Sequence, residues 1–475
     1  MTSPRPDVPS DGSVPAPPPG CPAHRPESGA PHRLHGPAAA ADPRAVYELL
    51  RREHGPVAPV LVHGDLPAWL VLGHRENLEV MRTPSLYSRD SRRWSMFEQG
   101  RVPADSPLIP MIGWQPVCVF ADGDEHARLR RAVTDGLAQF NRHGVRRYVT
   151  HHTRRLVAGF ASRGEADLIG EYAERLPMLV MNQLLGMPEE NGPRLVEAAR
   201  DATRGGPAAP AGEDLMAQTL RTLVRRKTER PGRDLASRLI GHESGLTGDE
   251  VVDHLRLVLL AANEATVNLI ANTLRLVLTD RRFRASLSGG QMTLPDALEQ
   301  VLWDAPPLSV VAGRWAVGDT VLGGRRISAG DMVLLGLAAG NADPEIRPDR
   351  SAPVHGNRSH LSFSGGPHEC PGQDIGRAIA DTGIDTLLTL LPGLELAVSE
   401  AELVTGAARL TERLESLPVR FTPEREAVPG PELRVSAAPP VSQPLPAASP
   451  QPPAPPAVPA PRGELSRWQR VLRGR

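Results

Sequence analysis

The segment HLSFSGGPHECPGQDIGR (360–377) sets one cysteine, Cys370, among glycines at 365, 366 and 372, and a helical pattern begins just past the sulfur. Loop amides and a helix N-terminus both favour thiolate over thiol, and a thiolate in that setting is a metal ligand or a nucleophile. Taken alone, the residue also reads as an inert free cysteine. In DGDEHARLRR (122–131), His126 and Arg130 lie four apart and therefore share one helical face. In VLLAANEATVNLIANTL (258–274), a single acid, Glu264, stands among the small residues Ala261, Ala262 and Ala265, with Thr266 following it.

The elements that must position these residues are mostly helical. Periodic apolar segments cover 124–138, 169–186, 213–228, 247–280 and 372–391, and Asp42-Pro43 opens an earlier helix. Strand patterns at VAPVLV (57–62) and WLVLG (69–73) flank a Gly64-Asp65 turn, and further short strands fall around 310–337. No βαβ alternation or internal repeat is visible, which excludes Rossmann and TIM architectures and predicts a mainly α fold with small β-sheets. Of the 50 prolines, 11 fall in residues 1–40 and 14 in 423–461. Such stretches bury too little apolar surface to offset their ordering entropy, so residues 1–41 and 423–462 read as disordered tail and linker around a single domain, 42–422. At the end, GELSRWQRVLRGR (463–475) places Leu465, Trp468 and Leu472 at i, i+3 and i+7 with arginines beside them. That pattern predicts a short basic amphipathic helix that docks on a protein partner or an anionic surface, or simply frays.

A net charge of −1 from 54 basic and 55 acidic residues argues against nucleic acid as a partner. The three cysteines, Cys21, Cys118 and Cys370, are too few and scattered for a disulfide framework or a CxxC metal site. No uninterrupted apolar run reaches membrane length and no signal-peptide pattern opens the chain, so the expectation is a cytoplasmic protein without a transmembrane segment.

Phe363, Gly366, His368, Cys370 and Gly372 together reproduce F-x-x-G-x-[H/R]-x-C-x-G, and through them the chain resembles the cytochrome P450 family. The resemblance implies a single-domain P450 fold over about 42–422, haem b (iron protoporphyrin IX) as cofactor and Cys370 as proximal iron ligand, whose electron donation favours O–O cleavage. It further implies His126 and Arg130 at one haem propionate, Arg314 in VVAGRWAV (310–317) at the other, and His360 ahead of the cysteine loop as a fourth donor. Four cationic or donor groups suit a buried dianionic edge. Segments 176–190 and 231–240 are similar to family helices with structural roles.

Two departures from the family pattern stand out. Where the family reads A-G-x-[D/E]-T across the distal face, this chain has Ala261, Ala262, Asn263, Glu264, Ala265 and Thr266, so the acid is kept while the hydroxyl position is alanine. Thr266, one residue on, is turned about 100° around the helix. Glu264 then reads as a proton relay acting through water or substrate, or as a structural acid paired with an arginine. The family's E-x-x-R is also missing, because ALEQVLWDAPP (297–307) puts Gln300 and Trp303 at those positions. Glu299, one residue earlier, is expected to be turned off that face, and Arg350 is expected to stack on Trp303 and to bond Gln300. This register resembles an actinobacterial P450 subgroup that reads E-Q-x-x-W there.

The resemblance implies a haem-thiolate monooxygenase that places one oxygen atom of O2 into a small organic substrate. Ferredoxin and ferredoxin reductase would supply electrons, docking on a basic proximal face around Arg130, since no flavin or nicotinamide motif is present. The contrary reading is a catalytically impaired P450-like haem protein serving as redox adaptor, sensor or component of a signalling complex.

Overall fold

The computed structural model describes residues 31–36, 42–103, 106–204, 209–350, 352, 354, 356–391, 393–408 and 411–423. Chain contacts divide it into two units, Met1–Ala427 and Val428–Arg475, and all described residues belong to the first. Residues 1–30, the linker after 423 and the C-terminal amphipathic segment lie outside the described residues.

The helix Pro43–His54 starts as its first residues dictate: Pro43 needs no hydrogen-bond partner for its nitrogen, and the Asp42 carboxylate accepts the Ala45 N–H at 3.0 Å. Strands Val57–Val62 and Leu66–Val71 follow as an antiparallel hairpin, its turn made by Gly64 and Asp65 at φ 81° and 53°. They join a six-stranded sheet in which Leu66–Val71 lies parallel to Met332–Leu335, which pairs antiparallel with Val311–Ala316. One feature corrects the expected boundary at 41. His32 and Arg33 form a strand parallel to Val57–Val62, and the Arg33 guanidinium donates to both Asp65 oxygens at 2.6 and 2.7 Å. Backbone pairing and an ion pair hold this strand, and neither produces the apolar periodicity by which a sequence betrays structure.

Helices fill the rest, as expected. The 32-residue helix Gly248–Thr279 opens with a Thr247/Glu250 capping box and buries Leu255, Leu259, Val267, Ile270 and Leu274 in the main apolar core. It is long and apolar enough to cross a membrane by length and composition, and 61% of its most apolar stretch is buried inside the fold. A buried core helix passes the same test. Helix Gln373–Leu390 packs against it and against Arg142–Ala158. Beyond the strands expected near 310–337, the structure adds Glu165–Asp167 with Glu395–Leu396 and Pro418–Arg420, and the hairpin Thr405–Ala408/Thr411–Leu414. Strands of two to four residues are too short to show period-2 alternation.

Candidate functional site

The cysteine loop runs from the short turn Leu361–Phe363 to the helix Gln373–Leu390. The Cys370 N–H donates to the Phe363 carbonyl at 2.9 Å, closing the loop on itself. Only one of its glycines is demanded by the backbone. Gly366 sits at φ 67°, and a Cβ there would stand 2.4 Å from the Met81 carbonyl oxygen, whereas Gly365 is extended and Gly372 lies at φ −99°. Gly366→Ala should therefore lower unfolding stability by ~2–4 kcal/mol, the sum of positive-φ strain and overpacking. An unchanged denaturation midpoint would contradict the close approach.

The thiol itself departs from expectation. Burial pushes Cys370 up, outweighing the Gly372 N–H and the charges of Arg130 and Arg377 that pull it down. A bound metal cation would pull the same thiol in the opposite direction.

Next to the loop lies a cationic cluster. Arg314 is buried at 3% exposure, and its one hydrogen bond among the described residues is a long 3.4 Å donation to the Gly313 carbonyl. Burial and then the neighbouring Arg89 drive its pKa far down, with Asp122 opposing. Arg89, also buried, is spent on the carbonyls of Val119, Ala312 and Gly313 at 2.7–2.9 Å and is lowered to about 10 by burial. The His126 ring lies tilted by 40° against His368 with centroids 4.1 Å apart, and among the described residues its buried Nε2 has no hydrogen-bond partner. His368, whose Nε2 lies 3.6 Å from Asp122, is held neutral at about 3, chiefly by burial. Two buried guanidiniums thus face one carboxylate, which leaves a positive charge and an idle imidazole nitrogen waiting for an anion.

Two further expected donors have protein partners. Arg130 donates to the Glu369 carbonyl beside Cys370 and to Thr134 Oγ1 at 3.1 Å, and its charge reaches His126. His360 has both nitrogens occupied: Nε2 meets Glu299 Oε2 at 3.1 Å, and Nδ1 accepts the Ser362 N–H at 3.2 Å.

The helix Leu294–Asp304 brings the larger corrections. Glu299, expected to be turned away, is buried, and its carboxylate accepts from Arg377 Nε at 2.7 Å and Nη2 at 3.3 Å as well as from His360. Although burial, the strongest influence, would raise it, the hydrogen bonds from His360 and Arg377 bring the Glu299 carboxyl down to about 2. Arg347, not Arg350, lies over the Trp303 ring at 5.3 Å, and it pairs with Asp304 at 2.6 Å while Arg350 reaches Glu48. Gln300 donates to Asp304, and Trp303 Nε1 donates to the Asn357 carbonyl at 2.9 Å. A helical face can be approached from several directions at once. His360 and Arg377 reach Glu299 from the cysteine loop and from the helix that follows it.

On the long helix, Thr266 is buried against the helix Gln373–Leu390, its Oγ1 3.8 Å from where a Cβ on Gly376 would sit. Glu264 faces another way, into a small cleft lined by Glu174, Arg200, Asn263 and Arg413. There Arg200 bonds Glu174 at 2.7 Å and Arg413 pairs with the same carboxylate. Ala261 is exposed, and Ala262 and Ala265 are half-buried.

No protein-family model matches the chain. It is 32% identical over 400 residues to cytochrome P450 monooxygenase PikC of Streptomyces venezuelae, covering 82% of this chain and 93% of that one. It is 31% identical to the vitamin D(3) 25-hydroxylase of Pseudonocardia autotrophica over 80% of this chain and 94% of the relative. Among solved structures, CYP154C4 from Streptomyces sp. ATCC 11861 superposes with a TM-score of 0.74 at 28% identity, covering 83% of this chain and 99% of that one. The chain belongs to the cytochrome P450 family, and the mainly helical fold with small sheets is that family's single-domain fold. It is a P450-type monooxygenase with haem as its cofactor. The residues present fit that group: the Arg314 guanidinium, held by one long hydrogen bond, and the unpartnered His126 Nε2 are what two propionates would satisfy, and Cys370 offers one sulfur beside them.

Proposed function

We propose that Cys370 would supply the thiolate ligand that holds haem in this P450, with Phe363 and Gly366 shaping the loop around the sulfur. Arg314 and His126 bind the propionates, Arg89 fixes the strand that carries Arg314, and His368 packs against His126. The observation that carries this assignment is the buried Arg314, which among the described residues has no ion pair and shares the field of Asp122 with Arg89.

The chemistry haem supplies when bound is activation of O2, one atom of which enters a small organic substrate while the other leaves as water. That stoichiometry consumes two electrons and two protons, and the chain's own part is to deliver both. A separate ferredoxin and its reductase supply electrons in the cytoplasm, docking near Arg130. Glu264 moves the protons: it is the acid of the long helix that lines the cleft shared with Glu174, Arg200 and Arg413, and Thr266 is turned toward Gly376. Residues 297–304 belong to the pattern of the E-Q-x-x-W subgroup.

The test is turnover with a bacterial ferredoxin and reductase over a substrate panel, with product and hydrogen peroxide both measured. Wild type should form product, and Glu264→Gln should shift electrons toward peroxide while slowing product formation ~10- to 100-fold. Equal product-to-peroxide ratios in the two proteins would remove Glu264 from the relay.

A further inference from the structure

The missing E-x-x-R leaves open what ties the helix Leu294–Asp304 to the cysteine loop, and a continuous line of contacts supplies the tie. Glu299 is clamped by Arg377 at 2.7 and 3.3 Å and by His360 at 3.1 Å. The Arg377 guanidinium lies 4.4 Å from the centre of the Phe363 ring, and it donates to Gln373 Oε1 at 2.9 Å. Phe363 carries the carbonyl that accepts the Cys370 N–H. Arg377 is also one of the cations whose field reaches the Cys370 sulfur.

We infer that Glu299 is a positioning residue for the haem thiolate: acting through Arg377, it sets how strongly the Cys370 sulfur donates electrons to iron. This rests on the reading of Cys370 as axial ligand. With Glu299 present, Arg377 is a neutralised pair locked over Phe363. Without the carboxylate, the largely buried Arg377 keeps an uncompensated positive charge whose field reaches the sulfur, and charges act strongly away from water. A positive charge there favours the reduced iron centre, which carries one more negative charge than the oxidised one. Loss of Arg377 acts in the opposite sense. A purely structural role for the network would produce no such sign reversal, because both losses would loosen the same loop.

The test uses the full chain loaded with haem, in wild-type form and as Glu299→Gln, Arg377→Met and the double variant, with the reduction potential titrated spectroscopically at one pH without substrate. Glu299→Gln should raise the potential, Arg377→Met should lower it, and the double variant should return toward wild type. Two single variants shifted in the same direction, or neither shifted, would overturn the inference. Should Glu299→Gln not yield haem-loaded protein, Arg377→Met against Arg377→Lys decides: Met must lower the potential while Lys, which keeps the charge, holds it. Equal values for those two would also overturn it. The wild-type spectrum under carbon monoxide separates the two levels, since an unshifted band sinks the Cys370 reading itself, whereas a red-shifted band with unmoved potentials sinks only the role of Glu299.

Discussion

Cys370→Ser is expected to reduce product formation to background while leaving the fold intact. Serine matches cysteine closely in size, and the loop is held by the Phe363 carbonyl, by Gly366 against Met81 and by the helix Gln373–Leu390, none of which uses the sulfur. What changes is the ligand. An alcohol oxygen lacks the soft, polarisable donation by which a thiolate promotes O–O cleavage. Circular dichroism and thermal midpoint of the haem-free proteins should match, so that loss of product is separable from loss of structure. Product formation at even a tenth of the wild-type rate would show that the sulfur is not the reacting centre's ligand.

Arg314→Met should have opposite effects on the empty protein and on haem binding. In the unloaded chain a guanidinium is buried next to a second arginine with a single weak hydrogen bond, so an apolar side chain of similar length should raise stability by ~1–3 kcal/mol. In the loaded protein the same change strands a propionate, at a cost of ~2–5 kcal/mol, or roughly 30- to 5,000-fold in haem affinity. Haem transfer to apomyoglobin measures the second effect and denaturant unfolding of the haem-free protein the first. A variant that keeps its haem as tightly as wild type would place the propionates elsewhere. One that loses stability when empty would mean that Arg314 has a protein partner after all.

How much of this was legible in the chain depended on whether the information was local. The Gly64-Asp65 hairpin and the Asp42 cap are short-range patterns, and each stands where its residues said. Arg89, Asp122 and Glu299 were invisible as site residues because their roles come from partners 30 to 224 positions away. The Glu299 misreading is instructive in this respect. Helical periodicity says which residues share a face, but not from how many directions a face is approached, and the loop residue His360 decided the matter. Arg347 was passed over for Arg350 because a three-residue offset in an irregular segment has no periodic signal to anchor it. The pull of the loop on the Cys370 thiol was likewise judged from nearby amides alone, whereas burial, a property of the assembled fold, outweighs them.

The most direct measurement is the absorption spectrum of the purified wild-type protein, loaded with haem, reduced and saturated with carbon monoxide. Ligation through Cys370 predicts the strongly red-shifted Soret band of a thiolate-bound haem. An unshifted band in freshly prepared, folded protein would contradict Cys370 as the axial ligand.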